Sequence, residues 1–336
     1  MGRRPPLLPL ACLAMRTRFE LVIADAGDDA RARAAGESAF AEVAEAERLL
    51  SAYRDDAELF RVNARAASGA VPVDARLFAL LRRAMELCEA TDGSFDLTLG
   101  ALLAVWNHAG MAAGGEQAVP AASRIGEALA NCGMRRLLQL DHGAGSVRFA
   151  ATGLRLDAGA IGKGYALEQA GMVLREQGIA SALMHGGTST VLALGGDAAG
   201  QPWKVAIRDP ADAQGVIATA ALTGTSLSVS GVHGRSFIAG GRRYGHVIDP
   251  RTGWPVQGNL LAAVIDESAT VSDAWSTALL VLGREGFAML RAHHPAAECL
   301  LVREDADGRT AVEHRGDRFA LAGAGSATGT GRGSAR

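Results

Sequence analysis

One stretch of this chain, Gly153 to Gln177 (GLRLDAGAIGKGYALEQAGMVLREQ), restricts its fold more than any other. Leu154 and Leu156 alternate with polar residues and predict a strand that ends at Asp157. Gly159, Gly162 and Gly164 then fall within six residues, where a backbone turns tightly or approaches another group closely. From Tyr165 to about Gln177 the apolar residues return at helical spacing, and Ala182–Met184 is strand-like again. A turn between strand and helix can hold a phosphate on backbone N–H groups at the positive end of the helix, or it can be a plain tight turn. It is neither the dinucleotide fingerprint GxGxxG nor the P-loop GxxxxGK[ST]. Lys163 sits inside it and is one of only two lysines among 34 basic residues, which makes it a candidate where a compact ammonium is needed.

Charge narrows the function classes. The 34 basic and 36 acidic side chains give a formal net charge of −2, so the electrostatic footprint of a nucleic-acid binder is missing. No apolar run approaches the roughly 20 residues that span a bilayer. Cys12, Cys88, Cys132 and Cys299 lie far apart without CxxC spacing, which argues against zinc and against a disulfide framework. Cys88 and Cys299 sit in apolar stretches and read as small core residues. Residues 1–14 (MGRRPPLLPLACLA) read as an N-terminal extension. Their apolar run is broken by Pro9 and is shorter than the roughly 7–15 residues of a secretory core. A cytoplasmic protein is expected, with export and lipid anchoring at Cys12 as the alternative.

Elsewhere the pattern predicts a first strand at Arg18–Ala24 and helices over Asp28–Leu50, Asp74–Ala90 and Ser123–Cys132. Strands are expected at Leu137–Leu140, Val147–Phe149, Thr190–Leu194, Trp203–Ile207, Val216–Leu222, Ser226–Val229, Tyr244–Ile248 and Leu261–Ile265. A hairpin is expected at Gly240-Gly241, and a helix over Asp273–Leu282. Ala109–Ser123, rich in Gly and Ala, reads as a surface loop, and the small polar residues 323–336 as a disordered tail.

Four groups of side chains carry candidate chemistry. Asp273 and Thr277 are four apart on one helix face, where a carboxylate and a hydroxyl suit a hard cation such as Mg²⁺. Equally, Asp273 could complement the helix dipole from a first turn and Thr277 bond back to its own helix. His246 precedes the Pro- and Gly-enforced turn Asp249-Pro-Arg-Thr-Gly-Trp-Pro255 and has the ordinary pKa of a general base; a lone His is also a common structural residue. Asp157 reads as a cleft residue or as an Asx turn. Thr91-Asp-Gly-Ser94-Phe95-Asp96 can stack on a planar ligand, or simply connect helix to strand.

Taken together these segments resemble the FAD:protein FMN transferase (ApbE) family from Met15 to about Leu290. The motifs are Met15-Arg-Thr17, Ser51-Ala-Tyr53-Arg54, Gly93-Ser94-Phe95-Asp96, Leu156-Asp157-Ala-Gly-Ala-Ile-Gly-Lys163-Gly-Tyr165, Gly186-Gly187, His246-Val-Ile-Asp-Pro-Arg-Thr-Gly253 and Asp273-x-x-x-Thr277. The resemblance implies an α+β fold of mixed or antiparallel sheets with packed helices, a two-lobed single domain over residues 15–322. It implies Mg²⁺ held by Asp273, Thr277 and the main-chain carbonyl of Ala160. The FAD substrate would be lined by Met15, Tyr53, Ser94, Phe95, Asp96, Asp157, Lys163 and Ile248, with His246 as the base. The implied reaction moves the FMN part of FAD onto a Thr or Ser hydroxyl of an acceptor protein and releases AMP.

Three positions depart from many relatives. Arg16 replaces the Gly of a Met-Gly-Thr opening, Thr188 follows Gly186-Gly187 in place of Asp or Asn, and Ser276 stands where some relatives have a second carboxylate. The last argues for one Mg²⁺. No segment matches the acceptor motif Asp-x-x-(Ser/Thr)-Gly-Ala-Thr, so the acceptor is expected to be a separate protein. A Mg²⁺-dependent FAD pyrophosphatase and a non-catalytic FAD-binding protein are the competing readings. A nicotinamide oxidoreductase would need the missing dinucleotide fingerprint.

Overall fold

The computed structural model describes residues 7–24, 29–107, 118–212, 214–232, 236–304 and 310–322. The chain begins β1 (Leu8–Ala14), β2 (Thr17–Ile23), α1 (Asp29–Leu50), α2 (Glu58–Arg65), β3 (Val71–Pro72), α3 (Ala75–Ala90) and α4 (Gly100–Trp106). It continues α5 (Ala122–Ala130), α6 (Met134–Leu137), β4 (Leu138–Asp141), β5 (Ser146–Phe149), α7 (Gly162–Glu176), β6 (Ala182–Gly186), β7 (Thr190–Leu194), β8 (Trp203–Arg208) and β9 (Val216–Leu222). Last come β10 (Ser226–Gly231), β11 (Ser236–Ala239), β12 (Arg242–Gly245), β13 (Asn259–Asp266), α8 (Ala269–Leu282), α9 (Glu285–His293), β14 (Glu298–Glu304), β15 (Thr310–Arg315) and β16 (Phe319–Leu321). Among the described residues no helix is long and apolar enough to cross a membrane. The expected tail 323–336 and most of the Ala109–Ser123 loop lie outside the described residues.

The main sheet has the order β1-β2-β6-β7-β10-β13-β14-β15, and its ladders are antiparallel. This is the α+β architecture of antiparallel sheets and packed helices that the family resemblance implies. Period-two alternation assigns each strand residue to a layer. On β13, Ala262 and Val264 join the core under α1, α7 and α8, whereas Leu261, Ala263 and Ile265 join a second core against the small sheet β16-β9-β8. A third apolar cluster gathers α4, α5 and the hairpin β11–β12 around the fully buried Trp106.

The structure differs from the sequence expectation in three instructive places. Leu8–Ala14, placed in an extension, is the edge strand β1, paired along its whole length with β2. Its lack of any polar residue hides the alternation in which Leu8 and Ala14 are buried while Pro9, Ala11 and Leu13 are exposed. Pro9 is tolerated because an edge strand can spare an N–H. Arg155–Asp157 is not a strand. Asn63 takes the place of a neighbouring strand, its amide donating to the Leu156 carbonyl at 2.9 Å and its Oδ1 accepting from the Leu156 N–H at 2.8 Å. Finally, α8 starts at Ala269, so Asp273 is not in its own helix's first turn.

That last shift exposes the central contact of the fold. Ile161 at the start of α7 offers no side-chain cap; instead Asp273 Oδ2, from α8, accepts the Gly164 N–H at 2.9 Å. In return Glu168 Oε2, from α7, accepts the Thr270 N–H at 3.0 Å in the first turn of α8. Ser268 caps the same turn through Val271 N–H at 3.1 Å and donates to Glu168, while Arg83 bridges Glu168 and Ser268 at 2.8 Å each. Each helix thus satisfies orphan donors at the other's N-terminus. Such proximity requires Gly164. A Cβ there would lie 2.1 Å from the Ala269 carbonyl oxygen and 2.7 Å from Asp273 Cβ.

Gly164→Ala is expected to lose about 1–3 kcal/mol in urea unfolding, the cost of overpacking a filled contact. By contrast, Gly126→Ala should gain about 0.5–1 kcal/mol from helix propensity, since nothing lies within 4 Å of an added Cβ in α5. Equal effects of the two changes would remove the steric account. Burial alone would raise the Glu168 pKa, but the Arg83 charge and the Ser268 and Thr270 hydrogen bonds outweigh it and hold it below the ordinary carboxylate value. A lowered folded-state pKa contributes stability above the unfolded value, and that stability disappears as pH falls through the folded value. Glu168→Gln should therefore be less stable than the parent at neutral pH by about 2 kcal/mol, the scale of hydrogen bonds to a charged group. Unfolding measured across the acid range should show that gap closing as pH drops; a gap independent of pH would refute the assignment.

Candidate functional site

The start of α7 is the centre around which the candidate residues collect. Asp273 is 4% exposed, and besides Gly164 it accepts the Thr190 hydroxyl at 3.2 Å on its other oxygen. No Lys, Arg or His forms an ion pair with it among the described residues. Among the described residues this buried carboxylate has two hydrogen bonds and the positive end of α7 beside it. Thr277, one turn further along α8, has its hydroxyl 3.4 Å from the Asp273 carbonyl oxygen, a weak back-bond, and 3.1 Å from Ser230 Oγ. Ala160 lies in the turn leading into α7, four residues before Gly164. Among the described residues there is no group of three or more His, Cys, Asp or Glu that could hold a metal ion. The donor set here is of another kind: one carboxylate, one hydroxyl and one carbonyl.

On the side of this turn that precedes α7, the structure brings Tyr53 and Asp157 together. The exposed Tyr53 hydroxyl donates to Asp157 Oδ2 at 3.0 Å, and Asp157 Oδ1 accepts the Gly159 N–H at 2.8 Å in an Asx turn. The Asp157 N–H donates to the Leu97 carbonyl at 2.7 Å, and Gly100 N–H to the Arg155 carbonyl at 3.0 Å, so the 94–100 segment runs beside the Asp157 turn. Within that segment the side chains face inward. Phe95 belongs to the main core, and Asp96 is spent on Thr98 and on the Met134 N–H at 2.8 Å. Ser94 is 1% exposed, with no partner for its hydroxyl among the described residues. Lys163, the second residue of α7, is half-buried and has no acidic partner among the described residues.

His246 is exposed and follows directly on β12. The loop after it is closed by Asp249, whose carbonyl accepts the Gly253 N–H at 2.8 Å, and by the bridge Ile248–Pro255. Arg251 clasps the Asp249 carboxylate at 2.9 and 2.8 Å. Trp106 then anchors the loop, its indole N–H donating to the Gly253 carbonyl at 2.9 Å and its ring stacked on Tyr244 at 5.7 Å. Ile248 is buried in this third cluster. The loop is thus tied to α4 and α5, whereas among the described residues the Asp273 carboxylate bonds Gly164 and Thr190.

Met15 and Arg16 form the two-residue turn between β1 and β2, both with positive φ (49° and 59°). That is the hairpin geometry in which glycine is favoured, so Arg16 occupies a backbone state that a Met-Gly-Thr opening would meet at lower cost. The Gly186–Thr188 turn lies at the same end of the sheet, its Gly187 N–H donating to the Arg18 carbonyl at 2.9 Å.

One set of polar residues escaped the sequence reading. Ser226, Ser228 and Ser230 alternate along β10 and meet Ser272, Ser276 and Thr277 of α8 through hydroxyl contacts of 2.8–3.1 Å. The Ser-x-Ser-x-Ser spacing was the available signal, and Thr190 had none. Cys88, Cys132 and Cys299 are buried, and burial pushes each thiol up to about 12, which leaves them unreactive.

The sequence model of the ApbE family matches residues 15–301. A Treponema pallidum (strain Nichols) protein named FAD:protein FMN transferase is 36% identical over 290 residues, covering 82% of this chain and 79% of its own. A Salmonella typhimurium protein of the same name is 32% identical over 243 residues, covering 70% and 68%. The crystal structure of the Thermotoga maritima ApbE protein superposes with a TM-score of 0.80 at 27% identity, over 91% of this chain and 96% of that one. The apo Pseudomonas stutzeri flavinyl transferase ApbE gives 0.79 at 29% identity, over 92% and 94%. With that match running through both halves of the site, the chain belongs to the ApbE family.

Proposed function

We propose that this chain transfers the FMN part of FAD to a Thr or Ser hydroxyl of a separate acceptor protein, with Mg²⁺ required and AMP released. That it is a flavin-transferring enzyme follows from its family and from curated relatives named FAD:protein FMN transferase. The single observation that carries the rest is the buried Asp273 carboxylate, without an ion-pair partner among the described residues and one helical turn before Thr277, whose hydroxyl lies 3.4 Å from the Asp273 main-chain carbonyl oxygen. A charge so placed calls for a cation, and the oxygen donors Asp273, Thr277 and the Ala160 carbonyl are the type Mg²⁺ takes. Bound there, Mg²⁺ would neutralise charge on the FAD pyrophosphate.

The chain's own groups take the remaining tasks. Lys163, through its ammonium and its main-chain N–H, and the Ala160 N–H hold phosphate oxygens at the start of α7, the Gly159, Ile161, Gly162 and Gly164 N–H groups being already bonded within the protein. Tyr53 and Asp157, linked at 3.0 Å, with Met15 and Ser94, line the FAD site. The buried Phe95, Asp96 and Ile248 shape that site through the backbone they fix. His246, open to solvent, receives the acceptor hydroxyl proton as the oxygen attacks the FMN phosphorus. The bond from that phosphorus to the AMP oxygen breaks, and AMP leaves with the electron pair. Cys12 lies within β1 opposite Phe19, so processing there would cut the strand; this supports the cytoplasmic assignment.

Incubation with FAD and a peptide bearing the acceptor motif, with and without Mg²⁺, tests the reading. AMP release and an FMN mass on the peptide are expected only with Mg²⁺. Free FMN plus AMP with unmodified peptide would make the protein a pyrophosphatase, and intact bound FAD would make it a carrier. Asp273→Asn should abolish Mg²⁺-dependent turnover. His246→Ala should retain FAD binding while transfer slows about 10²–10⁴-fold, the usual contribution of a general base; wild-type transfer would remove His246 from its role.

A further inference from the structure

We infer that Ser230 is a positioning residue for the cation site: its Oγ takes the Thr277 hydroxyl proton and so leaves the Thr277 lone pairs free to ligate. The inference rests on the reading of Asp273 and Thr277 as cation ligands and adds a residue outside that set.

The argument is an accounting of protons. A hydroxyl has one proton and two lone pairs. Thr277 can present a lone pair to a cation only if its proton points elsewhere. Ser276 Oγ donates to the Asp273 carbonyl at 3.0 Å, which spends its proton. With the Ser276 proton so assigned, Ser230 is the donor at its 2.8 Å contact with Ser276, a pair in which either hydroxyl is able to donate. Ser230 Oγ, its own proton spent, is then an acceptor for Thr277 Oγ1 at 3.1 Å. The alternative acceptor, the Asp273 carbonyl at 3.4 Å, is longer and already receives Ser276. The hydroxyls consequently order in one direction, Thr277 to Ser230 to Ser276 to the Asp273 carbonyl. The chain starts on one oxygen ligand and ends on the main chain of the other.

Ser228 supplies the internal control. It sits two residues back on the same face of β10, is fully buried, and contacts Ser272 at 3.1 Å without touching Thr277. Removing either hydroxyl deletes a buried hydrogen bond between β10 and α8, but only Ser230 acts on a ligand.

The test is binding of Mg²⁺ by calorimetry and of Mn²⁺ by electron paramagnetic resonance, on full-length protein without FAD, with thermal unfolding in EDTA alongside. Ser230→Ala should weaken both cations roughly 10-fold, the lower end of the effect of outer-sphere changes on metal affinity. Ser230→Thr, which keeps the hydroxyl, should restore affinity to near the parent value. Ser228→Ala should lower the unfolding temperature in EDTA by a similar amount to Ser230→Ala and leave cation affinity unchanged. Unchanged affinity in Ser230→Ala, or equal losses in both alanine variants, would overturn the positioning role while leaving the cation site intact. A parent protein that binds neither cation would overturn the ligand assignment itself, and this inference with it.

Discussion

Asp273 and Glu168 each reach out of their own helix to cap the other's. Because α7 carries the turn proposed to hold phosphate and α8 the proposed cation ligands, the two carboxylates lock together the elements that would cooperate in that chemistry. Contacts of 2.9 and 3.0 Å between charged acceptors and backbone donors are strong for their number, on the order of 1.5–3 kcal/mol each. They also set direction. A rotation of either helix would uncouple both caps at once, so the relative orientation of Lys163 and Asp273 is fixed by stability itself. Gly164 is the geometric condition for this arrangement, since any side chain there would push α8 away from the turn it caps.

Much of this was legible in the sequence, for reasons that differ from residue to residue. The turn Gly159–Gly164 announced itself because close backbone approach leaves glycines behind, and the long helices α1 and α3 because their apolar spacing is regular over many turns. Tyr53 and Asp157 are 104 positions apart, and only the family resemblance put them in one site; the 3.0 Å contact supplies the physical link. Strand β1 was misread because an edge strand may contain proline and because LPLACLA has no polar residue to mark its outer face. The non-strand at Arg155–Asp157 was misread for the opposite reason. Its alternation is genuine, but a single Asn63 side chain serves as its neighbour, and no local pattern encodes a partner 93 residues away.

The role of Asp273 shows the limit of reasoning from spacing alone. Spacing offered a choice between a cation ligand and a residue serving its own helix dipole. The structure rejects the second form of that choice, because Asp273 is a full turn inside α8. It also shows a third, in which the carboxylate serves the dipole of α7. This service uses one lone pair of each oxygen at most, through Gly164 and Thr190, and so does not compete with ligation. A single buried carboxylate can therefore organise the fold and still offer lone pairs to the proposed cation.

The roles proposed for them make different physical demands, which fits His246 being built so unlike Asp273. A cation ligand gains from burial, since a low effective dielectric strengthens its attraction to charge. A base that takes a proton from another protein must stand where that protein can arrive, and burial would exclude the partner. The chain resolves this by anchoring the His246 loop from behind. Trp106 fixes the Gly253 carbonyl, Asp249 and Arg251 close the turn, and Ile248 fills the third cluster, while the imidazole itself stays exposed. Rigidity is supplied through neighbours in the sequence and access through the residue itself. The site is accordingly split between two cores, the main one holding Asp273 and the α4–α5 cluster holding the loop of His246. The substrate phosphates and the acceptor hydroxyl would be presented by different parts of the fold and would meet only when both are bound.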